Sequence, residues 1–248
     1  MKLLNPKDFV KEYSIKSLAA CFSGGKDSLV STHFVMSELE GEDDIDKHVV
    51  FVDTGAMLPI SEPFVRDVCQ QYGWNLTVLN GGFFEKAKKF GMPRMRHRWC
   101  CYECKLKPII EFVKPLKPQR GEVIGLRRDE SPKRQKITNM VIHKKQAHSW
   151  GYAPILFWTE KQVLQYIKDH DLPSPPHYKL GLKETCQCGV FSSKRQMLIL
   201  KAQFPDLFQK FVRLEKEFRK GGAAFYFRGK ATYARDLAKQ KTIEEWTK

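Results

Sequence analysis

Residues 23–28 read Ser-Gly-Gly-Lys-Asp-Ser, an order of small, cationic and hydroxyl-bearing groups suited to holding a phosphate. Gly24 and Gly25 let backbone N–H groups approach an anion, and a helix N-terminus favours negative charge there. Lys26 adds a point charge, Ser23 and Ser28 add hydroxyl donors, and Asp27 or Asp53 is the carboxylate available to position a metal counter-ion. The flanks agree with this reading. Residues 17–22 form an apolar run that predicts a strand, and residues 27–39 have a helical pattern. The spacing is not the P-loop pattern, which has four residues between its first glycine and Gly-Lys-Ser/Thr. An ordinary tight turn into a helix is the bland alternative; six residues in order in a strand–turn–helix setting weigh against it.

A second chemical constellation is built from thiols. Trp99-Cys100-Cys101-Tyr102-Glu103-Cys104 carries three cysteines, and Thr185-Cys186-Gln187-Cys188-Gly189 carries two more of the seven in the chain. Isolated cysteines are usually dispersed core residues, whereas close sets of thiolates bind soft metals. With residues 101–113 helical, Cys100 and Cys104 share one face near its start. The helix N-terminus and Arg94, Arg96 and Arg98 then lower thiol pKa values and stabilise an anionic cluster. Four thiolates hold either an iron–sulfur cluster or a structural zinc, and their number does not separate the two. The competing reading is five unrelated buried thiols. Cys21 and Cys69 fall on a predicted strand and a predicted helix and read as small core residues.

The elements that must position these groups alternate. Strands are predicted at 17–22, 49–52, 76–79 and 122–125, with a further one at 137–142; helices are predicted at 27–39, 61–72 and 102–113. Thr159-Glu160-Lys161-Gln162 is a capping box opening a helix to about residue 170. Leu172-Pro-Ser-Pro-Pro176 reads as a stiff loop leading through His177 and Tyr178 to the second cysteine group. Residues from 193 onward have a helical pattern, broken at Pro205 and Gly221-Gly222. The fold class expected is α/β: a doubly wound, mostly parallel sheet with helices on both faces, plus a helical C-terminal extension. The boundary is placed after residue 195, giving a nucleotide-binding and cysteine-bearing domain over 1–195 and a basic helical region over 196–248. Ligands of such sheets bind beyond the carboxyl ends of the strands. The 23–28 loop, Asp53-Thr54-Gly55 and Gly125-Leu126-Arg127-Arg128 all fall at predicted strand ends and are expected to converge on one crevice.

Composition narrows the class. The 248 residues carry a formal net charge of +15 and 42% hydrophobic residues, enough for a packed core and a field that attracts nucleic acid or phosphorylated small molecules. Basic residues concentrate at 86–89, 94–98, 127–136, 143–145 and 213–230, the last interleaved with Phe218, Phe225, Tyr226 and Phe227. Those rings offer either stacking faces or the apolar face of a closing helix. No apolar run reaches the length of a membrane span, and the first residues lack an apolar signal region, so a cytoplasmic protein with reduced thiols and no membrane partner is expected. Trp99 and Trp158 read as packing residues and His97 as an exposed histidine of a basic loop.

The chain resembles the phosphoadenylylsulfate reductase family, within the N-type ATP pyrophosphatase superfamily. The pieces that carry the likeness are Ser23–Ser28, Val52-Asp-Thr-Gly55, Trp99-Cys-Cys101, the run Gly125-Leu-Arg-Arg-Asp-Glu-Ser-Pro-Lys-Arg134, Pro154-Ile-Leu-Phe-Trp-Thr-Glu160 and Cys186-Gln-Cys188. The resemblance implies that Ser23, Gly24, Gly25, Lys26, Asp27 and Ser28 hold phosphate or sulfate. It implies that Asp53, Thr54, Gly55 and Gly125 border the adenine nucleotide, and that Arg127, Arg128 and Arg134 grip its anionic part, a task suited to forked guanidinium groups. It also implies a [4Fe–4S] cluster on Cys100, Cys101, Cys186 and Cys188. Three departures stand out: one residue rather than two separates the later pair, Cys104 is an additional thiol, and no cysteine follows Cys188. The reductases attack with a cysteine near the C-terminus, and a hydroxyl does not replace that thiolate.

Three functions follow from these readings. In the first, ATP with Mg²⁺ binds the loop, and an acceptor oxygen is adenylylated as pyrophosphate leaves. A sulfur atom from a donor protein such as a cysteine desulfurase then displaces AMP, with Lys26, Arg127 and Arg128 stabilising the developing charge. Relatives implied by the resemblance act on tRNA or DNA, which the basic charge suits. The second is a sulfonucleotide reductase whose thiol comes from Cys100, Cys101, Cys104 or a partner. The third is a nucleotide-binding accessory protein without turnover. Zinc in place of the cluster remains an alternative within each.

Overall fold

The computed structural model describes residues 3–218, 225–227 and 230–240. Six strands form the main sheet: β1 (Ser17–Cys21), β2 (Asp46–Asp53), β3 (Leu76–Asn80), β4 (Arg120–Ile124), β5 (Val141–Lys144) and β6 (Ser149–Tyr152), in the order β3-β2-β1-β4-β6-β5. The pairs β1/β2, β1/β4 and β4/β6 are parallel and β5/β6 is antiparallel. A two-stranded antiparallel sheet, β7 (Phe225–Phe227) with β8 (Lys230–Thr232), stands separately. The helices are α1 (Pro6–Glu12), α2 (Lys26–Glu38), α3 (Ser61–Gln71), α4 (Phe83–Phe90), α5 (Trp99–Cys101), α6 (Lys107–Val113), α7 (Pro132–Gln135), α8 (Glu160–Asp169), α9 (Lys194–Gln203), α10 (Pro205–Glu217) and α11 (Ala234–Lys239).

The chain divides into two compact units. One comprises residues 1–51, 64–79 and 109–175 and holds most of the sheet. Its β1 lies between two parallel neighbours, and Ser17, Leu18, Ala19 and Ala20 are all buried, the continuous burial expected of a strand covered on both faces. The expected strand at 137–142 is shifted: β5 begins at Val141. The reason is polar. Glu122 on β4 is 1% exposed and takes the Lys144 ammonium and the Ser149 hydroxyl of the β5–β6 hairpin, so this register neutralises a buried carboxylate.

The other unit comprises residues 52–63, 80–108 and 176–248. Its core gathers Phe83, Trp99, Leu182, Val190, Met197, Leu200, Phe208, Phe211, Phe225 and Leu237 with the thiols Cys100, Cys104 and Cys188. Phe83 stacks on Trp99 with ring centres 5.7 Å apart, and Phe211 meets Phe225 at 5.1 Å. The helical reading of the C-terminal region holds for α9, α10 and α11 but not for residues 225–227, which form a strand whose Phe225 is fully buried. The Gly221-Gly222 break lies outside the described residues. Among the described residues no helix is long and apolar enough to cross a membrane.

Candidate functional site

Within the first unit the Ser23–Ser28 turn is tied by hydroxyls. The Ser28 hydroxyl donates to the Gly25 carbonyl at 2.9 Å and accepts the Ser23 N–H at 3.1 Å. With its single hydrogen used, the 3.1 Å contact between the two hydroxyls runs from Ser23 to Ser28. Gly24 has φ +80°, a conformation open to glycine, and Gly25 precedes α2 with no side chain capping the helix. An α-helix begins with four N–H groups that lack intrahelical partners, so an uncapped start preceded by glycines offers donors to an anion. Gly125 supports the turn from behind: a Cβ there would stand 2.7 Å from both the N and Cα of Ser28.

A ring of charge surrounds Lys26. Its ammonium lies 3.6 Å from Asp27 Oδ2 and 3.2 Å from Glu160 Oε1 at the start of α8. Arg127 is 3% exposed and donates from Nε to Asp27 Oδ1 at 2.7 Å and from Nη1 to Asp129 Oδ1 at 2.5 Å. Asp129 Oδ2 accepts the Glu160 N–H at 2.9 Å, which closes the ring. Burial raises the Asp27 carboxyl above its ordinary range, against the opposing pull of Lys26 and Arg127. Arg127 therefore braces two carboxylates. Arg128 lies farther out, its guanidinium bonded to the Gln135 carbonyl and 5.3 Å from the centre of the Phe157 ring. Arg134 pairs with Glu130, whose carboxylate also accepts the Arg127 N–H at 3.0 Å.

Within the second unit the thiols form a row. Cys100 is hydrogen-bonded to Cys101 on one side and Cys188 on the other, and Cys188 to Cys186. The Cys188 N–H donates to Cys186 and the Val190 N–H to Cys188, while the Thr54 hydroxyl lies 3.5 Å from Cys186 Sγ. Sharing a hydrogen with its neighbour lowers Cys101 to about 7, helped by Arg98, and raises Cys100 to about 12. The hydrogen bond that Cys188 donates to Cys100 raises Cys188 to about 12, and the one that Cys186 donates to Cys188 holds Cys186 well above the ordinary thiol range. Among the described residues no three His, Cys, Asp or Glu side chains converge on a point that would hold one ion.

Residues Tyr102–Leu106 form a π-helical turn between α5 and α6, and Cys104 within it is buried in the same core as Cys100. Burial raises Cys104 to about 11, against the pull of Lys86 and with smaller contributions from Cys186 and Glu103. Its carbonyl packs on Gly81, where a Cβ would come within 2.2 Å. Asp53 caps its own turn, accepting the Gly55 N–H at 2.8 Å, and Gly55 at φ +86° leaves no room for a Cβ, which would lie 2.9 Å from Phe83 N. Thr54, read from sequence as a nucleotide neighbour, thus meets a thiol.

Residues 17–223 match the phosphoadenosine phosphosulfate reductase domain. The chain belongs to that family. The family likeness and the α/β fold expected from the motifs are thereby borne out. An uncharacterized protein of Methanocaldococcus jannaschii is 33% identical over 210 residues, which is 84% of this chain and 49% of that protein. The chain spans about half the length, or less, of this relative and a second uncharacterized protein of the same organism. Among solved structures, the phosphoadenylyl-sulfate reductase of Candida auris superposes with a TM-score of 0.54 at 20% identity, covering 73% of this chain and 87% of that one. The U34-tRNA thiolase NcsA of Methanococcus maripaludis, solved with its [4Fe-4S] cluster, gives 0.51 at 14% identity, covering 87% and 80%. At these identities the likeness is one of fold.

Three residues of this phosphoadenosine phosphosulfate reductase family member stand in the motifs quoted from the sequence but were given no role there: Asp129, Glu130 and Glu160. A signal for Glu160 was present. The Thr159–Gln162 capping box is formed as expected, with the Thr159 hydroxyl accepting the Gln162 N–H at 3.3 Å, and it fixes Glu160 in the first turn of α8. Nothing local announced that this turn meets Lys26.

Proposed function

We propose that this family member is an ATP-dependent sulfurtransferase. The phosphates of ATP lie on the Ser23–Ser28 turn and the uncapped start of α2, with Lys26 against the charge that develops on departing pyrophosphate. Mg²⁺ accompanies the phosphates, with Asp27 the turn's own carboxylate for it. Arg127, braced by Asp27 and Asp129, is a positioning residue that holds the turn; Arg128 and Arg134 contact the nucleotide's anionic part. Gly125 borders the nucleotide in this reading through its backbone. An acceptor oxygen attacks the α-phosphorus, and the α–β P–O bond breaks to release pyrophosphate. A sulfur nucleophile from a donor protein then forms the C–S bond as the C–O bond to AMP breaks. The net charge of +15 favours a nucleic-acid acceptor.

Cys100, Cys101, Cys186 and Cys188 would hold a [4Fe–4S] cluster. The row of four thiols with N–H donors to two of its sulfurs carries this reading, because such donors stabilise thiolates and tune cluster potentials. Bound there, the cluster would supply a Lewis-acidic iron–sulfur centre for the sulfur transfer. Anaerobic purification with iron, sulfide and zinc analysis tests it, together with pyrophosphate release from ATP. The expected result is about four irons per chain and ATP-dependent pyrophosphate. Stoichiometric zinc without iron rejects the cluster, and no pyrophosphate with any RNA or DNA acceptor rejects the transferase.

The family match favours a second reading, a sulfonucleotide reductase. Sulfite released from an adenylylated sulfate, with ATP inert, selects it.

A further inference from the structure

Residues 86–107 carry eight lysines and arginines and one acidic residue, Glu103. The same stretch is rich in uncovered rings and thioethers. Of the eight exposed large hydrophobic side chains among the described residues, Phe90, Met95, Tyr102 and Leu106 lie in it, and a fifth, Phe191, packs against it. A surface that serves only solubility carries its charges without a concentration of large apolar side chains. Here each kind of group is set beside the other. The Lys89 ammonium lies 5.6 Å from the centre of the Phe90 ring, and the Arg98 guanidinium lies 5.5 Å from that of Phe191, which is half exposed.

The backbone makes this a shaped surface. Arg94 and His97 exchange two hydrogen bonds, the Arg94 N–H donating to the His97 carbonyl at 3.2 Å and the His97 N–H to the Arg94 carbonyl at 2.9 Å. That pairing closes a hairpin with Met95 and Arg96 at its tip, and all five residues from 94 to 98 are exposed. The hairpin is anchored at its base by Trp99, which is buried, donates its indole N–H to the Gly91 carbonyl at 3.0 Å and lies 5.1 Å from the Phe90 ring. Cys100 and Cys101 follow directly in the chain, and Arg98 acts on Cys101 electrostatically. The basic and aromatic surface therefore runs up to the thiol row within one unit.

We propose that the Arg94–Arg98 hairpin, with Lys89, Phe90, Tyr102 and Phe191, docks an unpaired segment of RNA, as the loop of a folded RNA presents it. The inference rests on the reading that the acceptor is a nucleic acid, and it names where that acceptor lies. Bare rings accept unstacked bases, and cations set between them neutralise the phosphates that link those bases. A duplex keeps its bases stacked and leaves the rings unused. An acidic protein segment would pair with the cations and likewise leave the rings without partners.

The test is fluorescence anisotropy with a fluorescein-labelled RNA hairpin carrying an unpaired loop. Its comparisons are a blunt RNA duplex of equal length, a DNA hairpin of the same sequence and polyglutamate. The wild-type protein is expected to bind the RNA hairpin at least tenfold more tightly than each comparison. Phe191→Ala is expected to weaken hairpin binding roughly fivefold to a hundredfold, the loss of one base-stacking platform. Arg94→Glu with Arg96→Glu is expected to lower the slope of log affinity against log salt by about 1.4, two single-strand phosphate contacts. Circular dichroism melting of each variant checks that the unit is folded, and Arg96→Gln repeats the charge test with a milder change. Equal binding of duplex, DNA or polyglutamate overturns the proposal, as does unchanged hairpin affinity in folded Phe191→Ala and double-glutamate variants. ATP binding measured on the same samples reports the nucleotide reading separately: RNA docking lost with ATP binding intact defeats this inference alone, and the converse defeats the other.

Discussion

Glu160 gives the most discriminating prediction about the phosphate turn. Its carboxylate lies 3.2 Å from the Lys26 ammonium, with the lysine side chain 17% exposed and the glutamate 61% exposed. In the proposed reading, phosphate must compete with this carboxylate for the same cation. Glu160→Gln keeps the side chain's length and an acceptor oxygen and removes only the charge. An ion pair with one such exposed partner is worth about 0.2–1 kcal/mol after screening, which corresponds to a gain of roughly 1.5- to 5-fold in ATP affinity. The gain should grow as ionic strength falls, because the competing pair is only partly shielded from solvent. Lys26→Ala has the opposite sign: losing a charge-assisted contact of roughly 1.5–3 kcal/mol weakens ATP binding about 10- to 150-fold. Titration calorimetry with a non-hydrolysable ATP analogue and Mg²⁺ measures both. The double variant closes the cycle, since Glu160→Gln should have no effect once Lys26 is gone. Weaker ATP binding by Glu160→Gln at low salt, or an equal gain in the Lys26→Ala background, refutes the competition.

Four further outcomes are expected. Cys188→Ser, at the centre of the thiol row, should abolish iron incorporation during anaerobic reconstitution, whereas Cys104→Ser should retain it; iron and sulfide analysis reads both. Gly125→Ala should lower the melting temperature by roughly 2–10 °C, because its methyl meets the Ser28 backbone and costs about 1–3 kcal/mol. His33 is buried, bonded to the Tyr166 hydroxyl at 3.0 Å, and burial with nearby His170 lowers it to about 4. Its contribution is fully present at pH above the unfolded value near 6.5 and is lost as pH falls toward 4, so urea unfolding should show about 2 kcal/mol less stability at pH 5 than at pH 8 from this group. Arg127→Met should destabilise the fold by about 3 kcal/mol by leaving Asp27 and Asp129 without their shared cation, read by the same denaturation.

What was legible in the sequence was what is local. The 23–28 turn, its strand and its helix are a single stretch of chain, and α2 begins at Lys26 as the glycines require. The Thr159 capping box likewise formed where its spacing placed it. Grouped cysteines were legible as a set, but the subset in contact was not. A π-helical turn depends on how Lys86, whose ammonium binds the Glu103 carbonyl at 2.6 Å, and Gly81 pack against it, and no periodicity records such contacts. The shift of β5 had a similar origin, since it was decided by Glu122, some 20 residues upstream. Phe225-Tyr226-Phe227 fits a helix face or a strand equally well as a pattern, and its pairing with Lys230–Thr232 decided between them. The arginines at 127, 128 and 134 were recognisable as a basic group, while the pairing of Arg127 with Asp27 and Asp129 and of Arg134 with Glu130 was not, because ion pairs leave no spacing signature.

The charge ring around Lys26 joins residues that synthesis makes far apart in time. Asp27 meets Arg127 across 100 positions, and His33 of the same helix meets Tyr166 of α8 across 133. A nascent chain that has released its glycine turn from the ribosome still lacks the guanidinium that braces it and the acid that faces its lysine. Closing loops of that length is slow and comes after local helices form. The braced turn is thus complete only once α8 has been made and docked, so a lesion in α8 acts on the glycine turn although it is remote from it in sequence.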